Sequence, residues 1–141
     1  MKELILAIQS VLQEKMPFVK PHDVYVTEDV HLIRNAGGYP AIGIKDGSQS
    51  FTSLAGDQED ETLSVTIAVY VQLLKQEAGI MGDAGRKGVL DMSQSVVDAL
   101  RDTTFDGLMS QATPITVGAS EFLADETLAL VMKTISMQYV R

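Results

Sequence analysis

Leu4, Ile5, Ile8, Val11, Leu12 and Met16 fall within one arc of a helical wheel, and Lys2, Gln9, Ser10, Gln13 and Glu14 fall outside it. The spacing predicts an amphipathic first helix that Pro17 ends, because the proline ring clashes with the preceding turn. Short β-type runs follow at 24–26 and 30–33. After Gly37 and Gly38 comes a third at 39–44, expected to start at a sheet edge because Pro40 has no N–H to give a ladder. The strongest signal is a period of two. Leu63, Val65, Ile67, Val69, Val71 and Leu73 alternate with Thr62, Ser64, Thr66, Ala68, Tyr70 and Gln72, which predicts a strand of about 40 Å.

Residues 89–103 separate cleanly on the wheel. Val89, Leu90, Met92, Val96, Val97, Ala99 and Leu100 fill one half; Asp91, Gln94, Ser95, Asp98, Arg101 and Asp102 fill the other. Two strands close the pattern, at 114–117 and 127–140. In the second, Leu128, Leu130 and Met132 share one parity and Ile135, Met137 and Tyr139 the other, which predicts a bulge or twist near Lys133. The expected fold is α+β: an antiparallel or mixed sheet of about five strands with two helices on one face, in the order α-β-β-β-α-β-β. One domain spans 1–141, with mobile loops at 46–61, where polar residues dominate, and at 79–88, where four glycines sit.

Composition narrows the function classes. The 141 residues carry 11 bases against 19 acids, a net charge of −8, so the surface repels polyanions on average and static nucleic-acid binding is not expected. The chain has no cysteine, which excludes disulfides, thiolate metal sites and cysteine nucleophiles and fits a reducing cytoplasm. Apolar runs are too short to span a membrane, and Glu3, Gln9, Gln13 and Glu14 interrupt the first helix in a way a secretory signal does not, so it reads as mature structure.

Motif chemistry is sparse. His22 and His31, with Asp23, Glu28 and Asp29 nearby, are permissible metal ligands but lack a diagnostic spacing. Asp57, Glu59, Asp60 and Glu61 put four carboxylates in five residues without the EF-hand pattern; they read as a solvated acidic segment, with steering of a basic partner as the alternative. The segment 82–88 has glycines ahead of a helix, but Lys87 precedes Gly88 and Val89, so neither the lysine nor the hydroxyl of a Walker loop is in place. No nucleophile elbow and no zinc-protease helix occur, no cofactor is implied, and nothing points to an enzyme.

The excess strand length asks for a partner, because long strands expose ladder groups and apolar side chains that a neighbouring subunit can cover. The strings YPAIGIKDG at 39–47, LSVTIAVYVQLL at 63–74 and GRKGVLDMSQSVVDAL at 85–100, with a final strand running to Arg141, together resemble the tail terminator or tail completion proteins of long-tailed double-stranded DNA bacteriophages. The likeness extends from the first helix to the last strand. It implies a virion protein, assembled in the host cytoplasm, that forms a homo-oligomeric ring, usually a hexamer. That ring caps the tail tube protein, stops polymerisation and offers its other face to the head-side connector, with DNA passing through the lumen.

No catalytic residue follows from the likeness. The candidate contacts with the tube or a neighbouring subunit are Asp57, Glu59, Asp60 and Glu61 together with Ile80, Met81, Arg86 and Lys87, and the candidate ring-face strand carries Ser64, Thr66 and Tyr70. Arginine at Thr66 is expected to harm assembly, arginine at Val69 to harm folding. Two other readings stand beside this one: a head–tail joining or stopper protein of the neck, and a small-ligand-binding regulatory α+β module.

Overall fold

A computed structural model describes residues 1–34, 37–73, 76–83, 87–126 and 128–141. The chain runs through α1 (Lys2–Lys15), β1 (Val24–Val26), β2 (Ala41–Ser53), β3 (Glu59–Gln72), α2 (Gln76–Met81), α3 (Val89–Leu100), β4 (Gln111–Val117), β5 (Glu121–Ala124) and β6 (Ala129–Val140). The class is α+β, with a mixed six-stranded sheet in the order β1-β2-β3-β6-β4. β5 lies on the same side of β6 as β4: β4 covers residues 135–140 of β6 and β5 covers 129–132, so together they form one edge broken at 118–120. Beyond the expected order, the chain inserts α2 before α3 and β5 before β6.

The alternation in β3 is what organises the core. Its odd residues Leu63, Val65, Ile67, Val69 and Val71 pack with Leu4, Ile8 and Leu12 of α1 and with Met92, Val96 and Leu100 of α3. The sheet has a second, smaller core on its other face, where Ala68 and Tyr70 of β3 meet Leu130 and Met132 of β6 and Val30 above them. This second core corrects two expectations. Residues 30–33 form no strand; they belong to the connection between β1 and β2, and Val30 closes over the sheet. β6 has no bulge at Lys133, since its register with β3 is unbroken from Val140 opposite Thr62 to Leu130 opposite Gln72. The parity switch arises because each end of β6 buries a different face.

Nor is β2 an edge strand at its start. Beside Ile42 to Ile44 it pairs in parallel with β1, and Pro40 stands just ahead of the ladder, after a cis peptide bond. From Lys45 onward β1 has ended, and among the described residues no strand pairs with that side of β2.

The largest correction concerns 46–61. These residues do not form a loop: Gln49 to Ser53 pair with Leu63 to Glu59, and only 54–58 turn the chain, with Gly56 at φ +80° and the Leu54 N–H donating to the Gln58 carbonyl. Within this hairpin the register slips between Asp46 and Gln49. Gly47 makes that bulge possible, because a Cβ there would stand 2.6 Å from the Ser64 carbonyl oxygen and against the Ser64 hydroxyl as well. The Ser64 hydroxyl accepts from the Ser48 N–H at 2.8 Å and pins the bulge. Gly47→Ala is therefore expected to lower stability by about 1–3 kcal/mol through forced backbone displacement, with Gly56→Ala, where nothing lies within 4 Å, acting only through its positive φ. Urea titration of the two variants checks this.

Candidate functional site

The acidic candidates gather at one end of the sheet. Asp57 lies in the turn and Glu59, Asp60 and Glu61 open β3, so the segment expected to be mobile is ordered by main-chain pairing. Asp57, Glu59 and Asp60 are exposed. Glu61 differs, because the chain's last residue reaches it: the two backbones exchange N–H···O bonds of 3.0 Å, and Arg141 Nε donates to Glu61 Oε2 at 2.7 Å. Those bonds from Arg141 hold the Glu61 carboxyl below its ordinary value, with Gln49 donating to it from the facing strand. Arg141 also stands 3.6 Å from Glu3, so one guanidinium joins the start of α1 to the ends of β3 and β6.

The hairpin of β2 and β3 closes on the turn at 54–58. Here Phe51, opposite Glu61, and Leu54 are large apolar side chains left in solvent, Phe51 at 61%. Reading 46–61 as a polar loop missed both. Phe51 beside the β-branched Thr52, followed by Gly56-Asp57 as a turn signal, was the pattern that could have found the hairpin.

The second group of candidates lies at the opposite end. Ile80 and Met81 close α2, so residues 79–81 of the expected mobile loop at 79–88 are helical, while 84–86 lie outside the described residues. Ile80 is half-buried and lines a shallow apolar hollow with Leu73, Phe122 and Val131, whereas Met81 is exposed. Lys87 is exposed with its Nζ 5.1 Å from the centre of the Phe18 ring. Arg86 lies outside the described residues. The structure thus separates the two groups of candidates by the length of β3, roughly 45 Å at a strand's rise per residue.

The candidate ring-face strand divides in the same way. Ser64 and Thr66 are half-buried on the sheet face away from α1 and α3, level with Gln138 and Ser136 of β6 and, for Thr66, Lys45 of β2. This lower half of the face has hydroxyls, amides and Lys45 but, among the described residues, no helix. Tyr70 is a correction: it is buried, its hydroxyl donates to the Val30 carbonyl at 2.5 Å, and burial pushes its phenol well above the ordinary range. It anchors the β1–β2 connection and presents no surface.

That connection is held at its base by a buried carboxylate. Asp23 Oδ1 accepts from Arg34 Nη2 at 2.7 Å and from the Gly38 N–H at 3.1 Å, while the Arg34 guanidinium lies 4.1 Å from the centre of the Tyr25 ring. Burial alone would raise the Asp23 carboxyl; the donors Gly38 and Arg34 and the nearby His22 outweigh it and leave it below its ordinary value. Asp23 was visible in the sequence only as a neighbour of His22, and its role is structural. His31 is exposed between Asp29 at 3.4 Å and Glu121 at 3.5 Å. Among the described residues, no three histidine or carboxylate side chains converge in a way that could hold a metal ion. What these surfaces offer is docking: two ends of a sheet, one acidic and apolar, the other apolar with Lys87, and open strand edges between them. No protein-family model matches the chain, and no curated protein matches it.

Proposed function

We propose that this protein is a structural subunit of a phage tail, forming a ring, of six copies by the family resemblance, that caps the tail tube, halts its growth and carries the surface to which the head attaches. The observation that carries this reading is the hairpin of β2 and β3. Among the described residues it exposes Phe51 and Leu54 and leaves one side of β2 without a partner strand from Lys45 onward. A lone domain gains nothing from such a surface, whereas a subunit in an assembly covers it.

Two further features support it. The candidate contacts stand at opposite ends of the sheet, as a ring needs if one face meets the tube and the other the head-side connector. The open lower half of the sheet carries the uncharged Ser64, Thr66, Ser136 and Gln138, with one cation, Lys45 beside Thr66, offset by Asp46 at 3.5 Å, in a chain of net charge −8. A lumen of that kind lets a polyanion slide without being held. The reading requires no cofactor, no turnover and no sequence-specific contact with DNA.

Light scattering and negative-stain imaging of the purified protein test the assembly. A ring of about six subunits, alone or on tube ends, is the expected result. A compact dimer whose melting point rises with a small ligand would favour the regulatory module instead.

A further inference from the structure

Two unpaired strand edges border the sheet, and the register fixes their heights. Among the described residues β2 is open on one side from Lys45, and β4 is open on the other throughout. Lys45 lies opposite Thr66, Thr66 opposite Ser136 and Ser136 opposite Thr116, so Lys45 and Thr116 share one level. Ser50, Thr62, Val140 and Gln111 likewise share a level five residues lower along β2. The open stretches therefore face outward from the same band of the sheet. Each intervening pairing is antiparallel, so β2 and β4 run in opposite directions. Rotating a second copy about an axis along the strands, with no rise, brings β2 of one copy beside β4 of the next as an antiparallel pair.

We infer that this edge-to-edge join, Lys45 to Ser50 of one copy along Gln111 to Thr116 of a second, is the contact that closes the ring; the inference rests on the reading above and supplies its subunit interface. Charge supports a second copy as the occupant. Chains of net charge −8 repel one another over most of their surface, yet β4 carries no charged residue and the open part of β2 carries only Lys45 and Asp46, which offset each other at 3.5 Å. Apolar side chains stand along the same edges: Phe51 on one, Ile115 and Val117 on the other, each 44% exposed or more.

Both edges are also bulged at nearly one height, at Gly47-Ser48 opposite Ser64 and at Ile115 beside Met137. Bulges and Pro114, which has no N–H, discourage pairing with unrelated flat strands. A partner stepped at the same height is accommodated. A rise-free, head-to-tail contact closes into a ring, whereas a contact with rise builds a filament.

The absence of native cysteine makes the test clean. Within one chain the two edges are three strand spacings apart, about 14 Å, beyond the roughly 7 Å that a disulfide can bridge. The double variant Ser50→Cys/Gln111→Cys, oxidised under assembly conditions, is expected to give a ladder of linked oligomers on a non-reducing gel, ending at the ring number, with neither single variant giving one. Lys45→Cys/Thr116→Cys is a second pair for the case in which the first fails to fold. Leu6→Cys/Asp98→Cys, on the exposed sides of α1 and α3, is the control.

Folded double variants that remain monomeric on the gel, or a ladder from the control pair alone, would overturn the join. The two readings fail separately. Rings linked only through the control pair refute the edge contact and leave the tail role standing. An edge-linked ladder from a protein whose loss leaves tails unchanged does the reverse.

Discussion

Val69→Arg is expected to abolish the folded state, while Thr66→Arg, three residues away on the same strand, leaves it intact. Val69 is fully buried on the helix-facing side of β3, which has β2 on one flank and β6 on the other. An arginine there would be buried within the apolar core and would stand directly opposite Lys133, a like charge on the same face. Burying an unpaired cation costs about 3–5 kcal/mol, a large part of the roughly 5–15 kcal/mol that holds a domain together, and the lost valine packing adds to it. Thr66→Arg also meets a like charge, Lys45 on the facing strand, but it does so on the open, hydroxyl-rich side where both long side chains reach water, so its cost to folding is about 1 kcal/mol or less. Circular dichroism with thermal melting separates the two: no cooperative transition for Val69→Arg, a near-native one for Thr66→Arg. A folded Val69→Arg protein would mean that the odd side of β3 is not the core.

Asp23→Ala is expected to cost about 2–3 kcal/mol at neutral pH. Removing one partner of a fully buried ion pair costs roughly 3–5 kcal/mol, and the figure is reduced here because Arg34 keeps 24% of its side chain in water. The loss is local in origin: without Asp23, Arg34 and the Gly38 N–H lose their common acceptor, and the connection over Tyr70 and Met132 comes loose at its base. The sign of the pH dependence follows from the carboxyl's position below its ordinary value of 3.8. Its stabilising contribution is fully present above the unfolded value and is lost as pH falls through the lower folded one. The difference between the native protein and Asp23→Ala, measured by urea unfolding, should thus be constant from neutral pH down to about 5 and shrink below the ordinary carboxylate range. A difference that grows on acidification would contradict the assignment.

Where each side chain has a core to face, the fold is legible in the sequence. α1 and α3 announce themselves by their wheels and β3 by its alternation, because each buries one face against the same interior. Legibility fails where burial does not govern the pattern. Asp46 to Ser53 form a strand exposed on both sides, so polar residues occupy both parities and period two disappears; main-chain pairing to β3, a long-range fact, decides the structure. Val30 and Ile33 look like a strand because they are apolar, yet their burial comes from covering the sheet, not from joining it. Of the candidate site, the acidic cluster was evident as composition and its end of the sheet was not. The level edges depend on register, which no local string encodes.

Tail length is the quantity that tests the central claim most directly. Electron microscopy of tails made in cells lacking this protein should show tubes of variable, excessive length without heads, because nothing halts polymerisation or offers the attachment face. Tails of normal length in its absence would contradict a terminating role, and if those tails also lacked heads the protein would instead belong to the neck.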